Sequence, residues 1–254
     1  MNKKRIIKTW ISIIVLLLIW IIVTNLNLVS SYILPSPAKV LDSLYKMTLS
    51  GEIFIDIYIS FIRVIKGFFI ATISAFILSM LRIILPKSTD YYETIVQFLK
   101  NIPPLSLIPL LILWFGIGET TKIAIIVLTS FFPIYLNTVK GFISCDNKLI
   151  EVGQVYGDSS IKSFFKIRIP YAMSDILVGM RIGLGYSWRA IISAEMIAAS
   201  TGLGHMILFS QQMSRTDKVI VGILVIGVVG YMTDRLFAFV ISKSLKGLGN
   251  NGWD

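Results

Sequence analysis

Long apolar stretches alternate with shorter polar ones along the whole chain. Charge-free runs extend over 30 residues from Thr9 to Ala38, 18 from Asn101 to Gly118 and 17 from Ile123 to Val139. One helical crossing of a bilayer needs about 20 largely apolar residues, and the pattern predicts membrane helices at 9–28, 63–83, 102–118, 121–141, 176–197 and 219–240. The first could be mistaken for a secretory leader, because basic residues precede it. Its apolar core is too long for one and no small-x-small cleavage site follows it, so a retained helix is expected. The expected fold is an all-α membrane protein of about six transmembrane helices, a single transmembrane domain over 1–254 with no large part outside the bilayer.

Composition points the same way. Hydrophobic residues make up 55% of the chain and charged ones 15%, against about a quarter charged in soluble domains, and mean hydropathy is +0.79. A water-soluble globule is excluded. The formal charge of +10 comes from 24 Lys and Arg against 14 Asp and Glu. In a soluble protein it would raise the question of nucleic acid; in a membrane protein it sorts by loop, because basic residues gather on the cytoplasmic side. With the N-terminus inside, 14 basic residues fall in inner segments, among them Lys3, Lys4, Arg5, Lys8 and Lys246, and 5 fall outside. Both termini are therefore expected in the cytoplasm, with the lipid bilayer and not nucleic acid as the surrounding partner. The lone cysteine, Cys145, and the lone histidine, His205, which reads as part of an outer loop, leave no disulfide framework and no metal site to expect.

Two connections exceed a simple turn. The outer one, 29–62, holds LPSPAKVLDSLYKM, whose prolines stop any continuing helix before an amphipathic stretch suited to the outer surface. The inner one, 142–175, contains EVGQVYGDSSIKSFFKIRIP, from Glu151 to Pro170. It reads as a helix, a stop at Gly157, a cap from Asp158, Ser159 or Ser160, and a basic helix ended by Pro170. Such a helix-turn-helix knob fits a groove in a partner.

This segment resembles the coupling loop of the membrane subunits of ABC importers, Glu-Ala-Ala, three residues, Gly, nine residues, then Ile-x-Leu-Pro. Glu151, Gly157, Ile167 and Pro170 fall in register; Val152 and Gly153 replace the alanines and Ile169 the leucine. Gly153 costs about 1 kcal/mol of helix propensity relative to alanine. The stretches ILPSPAKV, SFIRVIKGFFIA, KNIPPLSLIPLLILWFGIGETTKI, FFPIYLNTVKG and AEMIAASTGLGHMI are similar to permeases of the nitrate, sulfonate and taurine group. Residues 103–123 look closest to those for aliphatic sulfonates. The resemblance implies a homodimeric permease in a bacterial plasma (inner) membrane, with two cytoplasmic ATPase subunits that bind ATP and Mg and an extracytoplasmic substrate-binding protein. It implies no catalysis and no cofactor in this chain. The substrate it implies is a small anion, an aliphatic sulfonate or taurine, with nitrate, bicarbonate or a thiamine-precursor pyrimidine as alternatives.

The residues add two constraints of their own. No Gly-x-x-x-x-Gly-Lys-Ser/Thr phosphate loop occurs, so the energy comes from a partner or an ion gradient. A secondary transporter would usually show paired inverted repeats or coupling-ion carboxylates, and neither is evident. A serine hydrolase is the weaker rival, because Trp188 stands where the second glycine after Gly185-Tyr186-Ser187 would be. Charges inside a span are functional candidates by default, which singles out Arg181, Arg189 and Glu195 in the fifth. Arg181 and Arg189, eight residues apart, lie near one helical face and suit an anion's path; the alternative is that Arg181 snorkels and Arg189 pairs with Glu195 or a neighbouring helix. Asp234 and Arg235 are expected to pair across helices. Pro103 and Pro104 at the start of the third span, with Pro109 inside it, predict a kink or broken turn in a pore-lining helix.

Overall fold

The computed structural model describes the backbone of residues 3–246 and the side chains of 11–243. The side chains of Lys3, Lys4, Arg5, Lys8 and Lys246 lie outside the described residues. The described elements are helical throughout: α1 (Lys3–Asn25), α2 (Pro37–Leu49), α3 (Glu52–Ile84), α4 (Thr89–Leu99), α5 (Ile108–Phe115), α6 (Glu119–Ile143), α7 (Asn147–Val155), α8 (Ser160–Ser163), α9 (Ile169–Ala198), α10 (Leu203–Gln212) and α11 (Thr216–Lys246). A π-helical turn, Phe164–Arg168, joins α8 to α9.

The centre of the bundle is the mutual packing of α3, α6 and α9. Small residues let these backbones approach. A Cβ on Gly67 would meet Ile126 Cγ2 at 2.5 Å, one on Gly179 would meet Asn137 Cβ at 2.7 Å, and one on Gly183 would meet Ile134 Cγ1 at 2.7 Å. The Gly179-x-x-x-Gly183 motif is thus a seam between α9 and α6 within one chain. Buried Ala71, Ala75, Ala190 and Ala194 continue the close packing, and Ser130 and Ser187 hydrogen-bond across it at 2.6 Å.

Ion pairs fix the helix directions. Lys140 near the end of α6 meets Asp175 near the start of α9 at 3.0 Å, so this end of the bundle carries α7, α8 and the π turn. It is called the knob end below. At the far end, Glu119 opening α6 meets Arg63 of α3, and Glu52 opening α3 meets Lys218 of α11. α3 and α6 therefore run the same way, and residues 85–118 must return the chain between them. They do so as two short helices bent by 91°. α4 stays beside the knob end, where Glu93 pairs with Arg82, and α5 packs at the far end through Ile108 and Leu111 against Ile125, Ala190 and Ala194.

The break expected at the start of 102–118 is therefore present, and it is sharper than a kink within one helix. Pro103 and Pro104 withhold two backbone donors, and the chain turns there, with Pro103 extended at ψ 117°. Pro109 produces no kink, because it falls in the first turn of α5, where its missing N–H has no intrahelical partner to lose. α1 ends at Asn25, short of the predicted 28, whereas the long helices α3, α6, α9 and α11 outrun their predicted limits: α3 starts at Glu52, well before 63, and there Asp56 and Arg63 find partners inside the fold. By length and apolar composition, α3, α6 and α11 can each cross a membrane, and the two bent segments raise the number to five. α1 adds the shorter apolar stretch Ile11–Asn25.

α2 is the amphipathic helix expected after the prolines. Ser36 caps it through Lys39 N, Pro37 opens it, and Val40, Ser43 and Met47 face inward. His205 lies on helix α10, stacked on Phe209 with ring centroids 5.9 Å apart, and not in a loop. Gly202 breaks the chain just before it, so the glycines that suggested a loop mark only the start of this helix.

Candidate functional site

The knob is built from local chemistry. Asp146 caps α7 by accepting from Lys148 N at 2.9 Å. α7 ends in a left-handed turn at Gly157, φ +82°, closed by Asp158 N–H donating to Gly153 O at 3.0 Å and Gly157 N–H to Gln154 O at 2.9 Å. This double bond pattern is the Schellman stop that favours glycine. Ser159 caps the next helix. Buried Asp158 holds the turn to that helix through Lys162 at 2.5 Å and Lys166 at 3.2 Å; hydrogen bonding to the Lys162 ammonium keeps its carboxyl below the usual aspartate range.

Gly153, the departure that costs helix propensity, has a packing reason. A Cβ there would meet Ile167 Cδ1 at 2.7 Å, so this glycine lets α7 lie directly on the π turn. Pro170 does not end the basic helix. Ile169 N–H reaches back five residues to Phe164 O, a wide turn that puts Pro170 into the opening of α9, where no donor is needed.

One side of the knob is anchored and the other is bare. Phe164, 4% exposed, packs with its ring tilted against Phe142 of α6, centroids 5.1 Å apart, and Phe142 in turn meets Phe76 of α3 at 6.0 Å. The knob is therefore packed onto α6 and, through Phe142, onto α3. Outward, Val155 and Tyr156 are 86% and 84% exposed beside exposed Glu151 and Val152. Two adjacent apolar side chains this bare on a charged loop mark a contact surface.

The three charged residues of α9 go to separate places. Arg181 forms two parallel 2.7 Å bonds with Asp234 of α11, the cross-helix pairing expected of that aspartate. Arg235 instead bonds Tyr231 Oη on its own helix at 2.9 Å. Arg189 lies over the Tyr186 ring, 5.3 Å from its centroid. It does not pair with Glu195, because six residues of helix turn the two side chains about 120° apart.

Glu195 is fully buried in a cluster the sequence reading missed. Its Oε1 accepts from Arg63 at 2.8 Å and from Ser60 Oγ at 2.9 Å, and its Oε2 accepts from Gly204 N–H at 3.0 Å. Arg63 also binds Glu119 through two N–H groups at 2.8 and 2.6 Å and reaches Thr201 O at 2.8 Å. Lys122 completes the set on Glu119 at 2.8 Å. Two cations face two carboxylates, so the cluster is neutral and its hydrogen bonds offset the cost of burial. Gly202, φ +107°, and Gly204 are required: a Cβ would lie 2.5 Å from the Glu195 carboxyl at the first and 2.3 Å from Ile192 O at the second. The signal available in sequence was that Arg63 stands in an apolar span without a carboxylate and Glu195 is the one carboxylate of its span, so both must find partners on other helices.

Residues 67–245 match the family described as binding-protein-dependent transport system inner membrane component. The chain belongs to this family. Its curated relatives include SsuC of Bacillus subtilis (strain 168), named for aliphatic sulfonates transport, 35% identical over 91% of this chain and 84% of that one. TauC of Escherichia coli (strain K12), a taurine transport system permease protein, is 33% identical over 87% and 82%. NrtB of Synechocystis, a nitrate import permease protein, is 31% identical over 94% and 90%. Among solved structures, a chain of the MetNI methionine ABC transporter in an inward facing conformation superposes with a TM-score of 0.55 at 16% identity, covering 76% of this chain and 95% of that one. That likeness is one of fold.

Proposed function

We propose that the chain is the homodimeric permease of an ATP-driven importer that moves an aliphatic sulfonate or taurine into the cytoplasm. In this reading it crosses a bacterial plasma membrane six times, by α1, α3, the bent α4–α5 pair, α6, α9 and α11, with the knob and both termini in the cytoplasm. Two ATPase subunits, which carry the ATP and Mg, dock on the two knobs; an extracytoplasmic binding protein delivers substrate to the far end. The observation that carries the reading is the knob itself: bare on the Val155–Tyr156 side and tied through Phe164 and Phe142 to three central helices. ATP binding draws the ATPase subunits together, the knobs follow through Glu151, Gly157, Ile167 and Pro170, and α9 with the Pro103–Pro104–Pro109 segment opens a path past Arg181, Arg189 and Glu195.

Two relatives named for sulfonates and taurine place those substrates first, and the nitrate relative makes nitrate the second reading. The test is ATPase activity in proteoliposomes holding the permease and its ATPase, with and without binding protein loaded with an alkanesulfonate. Stimulation by the loaded protein alone is expected. Stimulation only by nitrate-loaded protein would move the assignment to nitrate, and failure of any ATPase subunit to co-purify would contradict the importer.

A further inference from the structure

Arg189 is out of place as a structural residue. Counting at about 1.5 Å per residue, Arg63 lies about 16 Å from the far end of α3 and is bonded to Glu195; Arg189 lies about 9 Å further toward the knob, level with the midpoint of the roughly 50 Å helix α3 and about two-thirds of the way along α9. A guanidinium at that depth is costly against lipid and is held by a carboxylate or by water-lined protein. The other arginines with a carboxylate have one at hand: Arg63 has Glu119 and Glu195, Arg82 has Glu93, Arg181 has Asp234 and Arg215 has Asp217. Arg235, which bonds Tyr231, sits beside Asp234 nearer the knob. The contact described for the Arg189 guanidinium is the ring of Tyr186.

A second copy of the chain cannot supply the missing anion from its described residues. Glu119, Glu195 and Asp234 are already bonded to cations. Asp56 accepts from Gly202 N–H at the far end, while Asp90, Asp146 and Glu151 belong to the knob end. No described carboxylate stands free at the depth of Arg189. A negative charge that pairs with Arg189 therefore comes from outside the described residues.

The surroundings say what else arrives. Arg189 and Tyr186 border a cleft of about 480 Å³ between α9 and α11 whose wall continues with Val178, Ile182, Ala238 and Ile241, a volume typical of small-molecule sites. The Arg181–Asp234 pair lies in the same wall, and its two parallel bonds satisfy Arg181 and leave it no call on a ligand. The cleft therefore offers one uncompensated guanidinium fork, whose geometry matches an oxyanion's paired oxygens, at one end of a mostly aliphatic trough.

We infer that Arg189, over Tyr186, is a transit site for a monovalent oxyanion bearing a short apolar tail, an alkanesulfonate, whose tail lies along Ile182 and Val178. Arg181 is a structural latch beside it and not a ligand. This rests on the importer reading for its biological sense, but its chemistry can be tested alone.

The assembled permease–ATPase complex in nanodiscs is treated with phenylglyoxal, and modification of each arginine is read by peptide mass spectrometry. Arg189 is expected to react, and saturating sodium ethanesulfonate should lower its modification at least fivefold, while ethyl methyl sulfone, the neutral counterpart, should leave it unchanged. Arg181 should show no such protection. Uptake by Arg189→Gln should fall at least tenfold, with Arg189→Lys intermediate. Arg189 inert without any anion would mean that the second copy covers it, and equal reaction with and without the sulfonate would mean that it binds none; either overturns the site. Protection by nitrate alone would overturn the sulfonate assignment. Protection by ethanesulfonate in a complex that shows no ATP-driven uptake would sink the importer reading and leave the anion site standing.

Discussion

The knob and the far-end charge cluster both turn the chain on glycines, yet they are made in opposite ways. The knob is local: every contact that shapes it, from Asp146 to Ile167, falls within about two dozen residues, and it leaves Val155 and Tyr156 bare. The cluster is non-local, joining Ser60 and Arg63 of α3, Glu119 of α6, and Glu195 and Thr201 at the end of α9, and it leaves Glu195 with no exposure at all. The difference separates a part made to be gripped from a part made to hold. Breaking the first should disturb coupling and spare the fold; breaking the second should disturb the fold.

The largest effect is therefore expected at Glu195. Glu195→Ala leaves the buried cluster with two cations against one carboxylate, a loss of about 3–5 kcal/mol, and removes the acceptor for Gly204 N–H and Ser60 Oγ. Thermal unfolding in detergent, or the amount of folded protein in the membrane, should drop sharply, with Glu195→Gln in between. A variant as stable as the parent would mean that the cluster does not hold the far end.

A smaller and more selective effect is expected at Gly157. Its surroundings leave room for a methyl group, so Gly157→Ala pays only for the left-handed backbone, about 1–2 kcal/mol, confined to the knob. ATP hydrolysis and uptake should come apart while the melting temperature hardly moves. Full transport by Gly157→Ala and by Glu151→Gln would contradict the role given to the knob.

The smallest effect is one of pH. Asp158 has its carboxyl held below the ordinary value by Lys162 and Lys166. A carboxylate with a depressed folded-state pKa stabilises above its unfolded pKa and loses that contribution as pH falls through the folded one. Protection of the 153–166 amides from hydrogen exchange should therefore be flat from pH 5 to 8 and decline below about 4. Asp158→Asn should remove the decline and lower protection at neutral pH.

The same contrast decides what could be read from the sequence. The stop at Gly157 and the cap near Ser159 were legible because a few adjacent residues determine them. The reason for Gly153 was not, because Ile167 comes to lie on it only after the π turn has formed. The apolar spans were legible as spans, and Pro103 and Pro104 signal a kink or broken turn, but not that the chain turns through 91°, since nothing local says that α4 and α5 must return the chain between two helices running the same way. For the charges, periodicity put Arg181 and Arg189 on one face, yet only the position of Asp234 on α11 shows that the first is neutralised and the second is not. Pairings such as Arg63 with Glu195, separated by more than half the chain, need the fold itself.

The central claim is that force enters through the bare face of the knob, and one substitution addresses it with little disturbance elsewhere. Val155 is 86% exposed, so Val155→Asp should leave helix packing and membrane insertion intact. Substrate taken up per ATP hydrolysed, measured in proteoliposomes with the ATPase and loaded binding protein, should fall at least tenfold. An unchanged ratio would contradict the account.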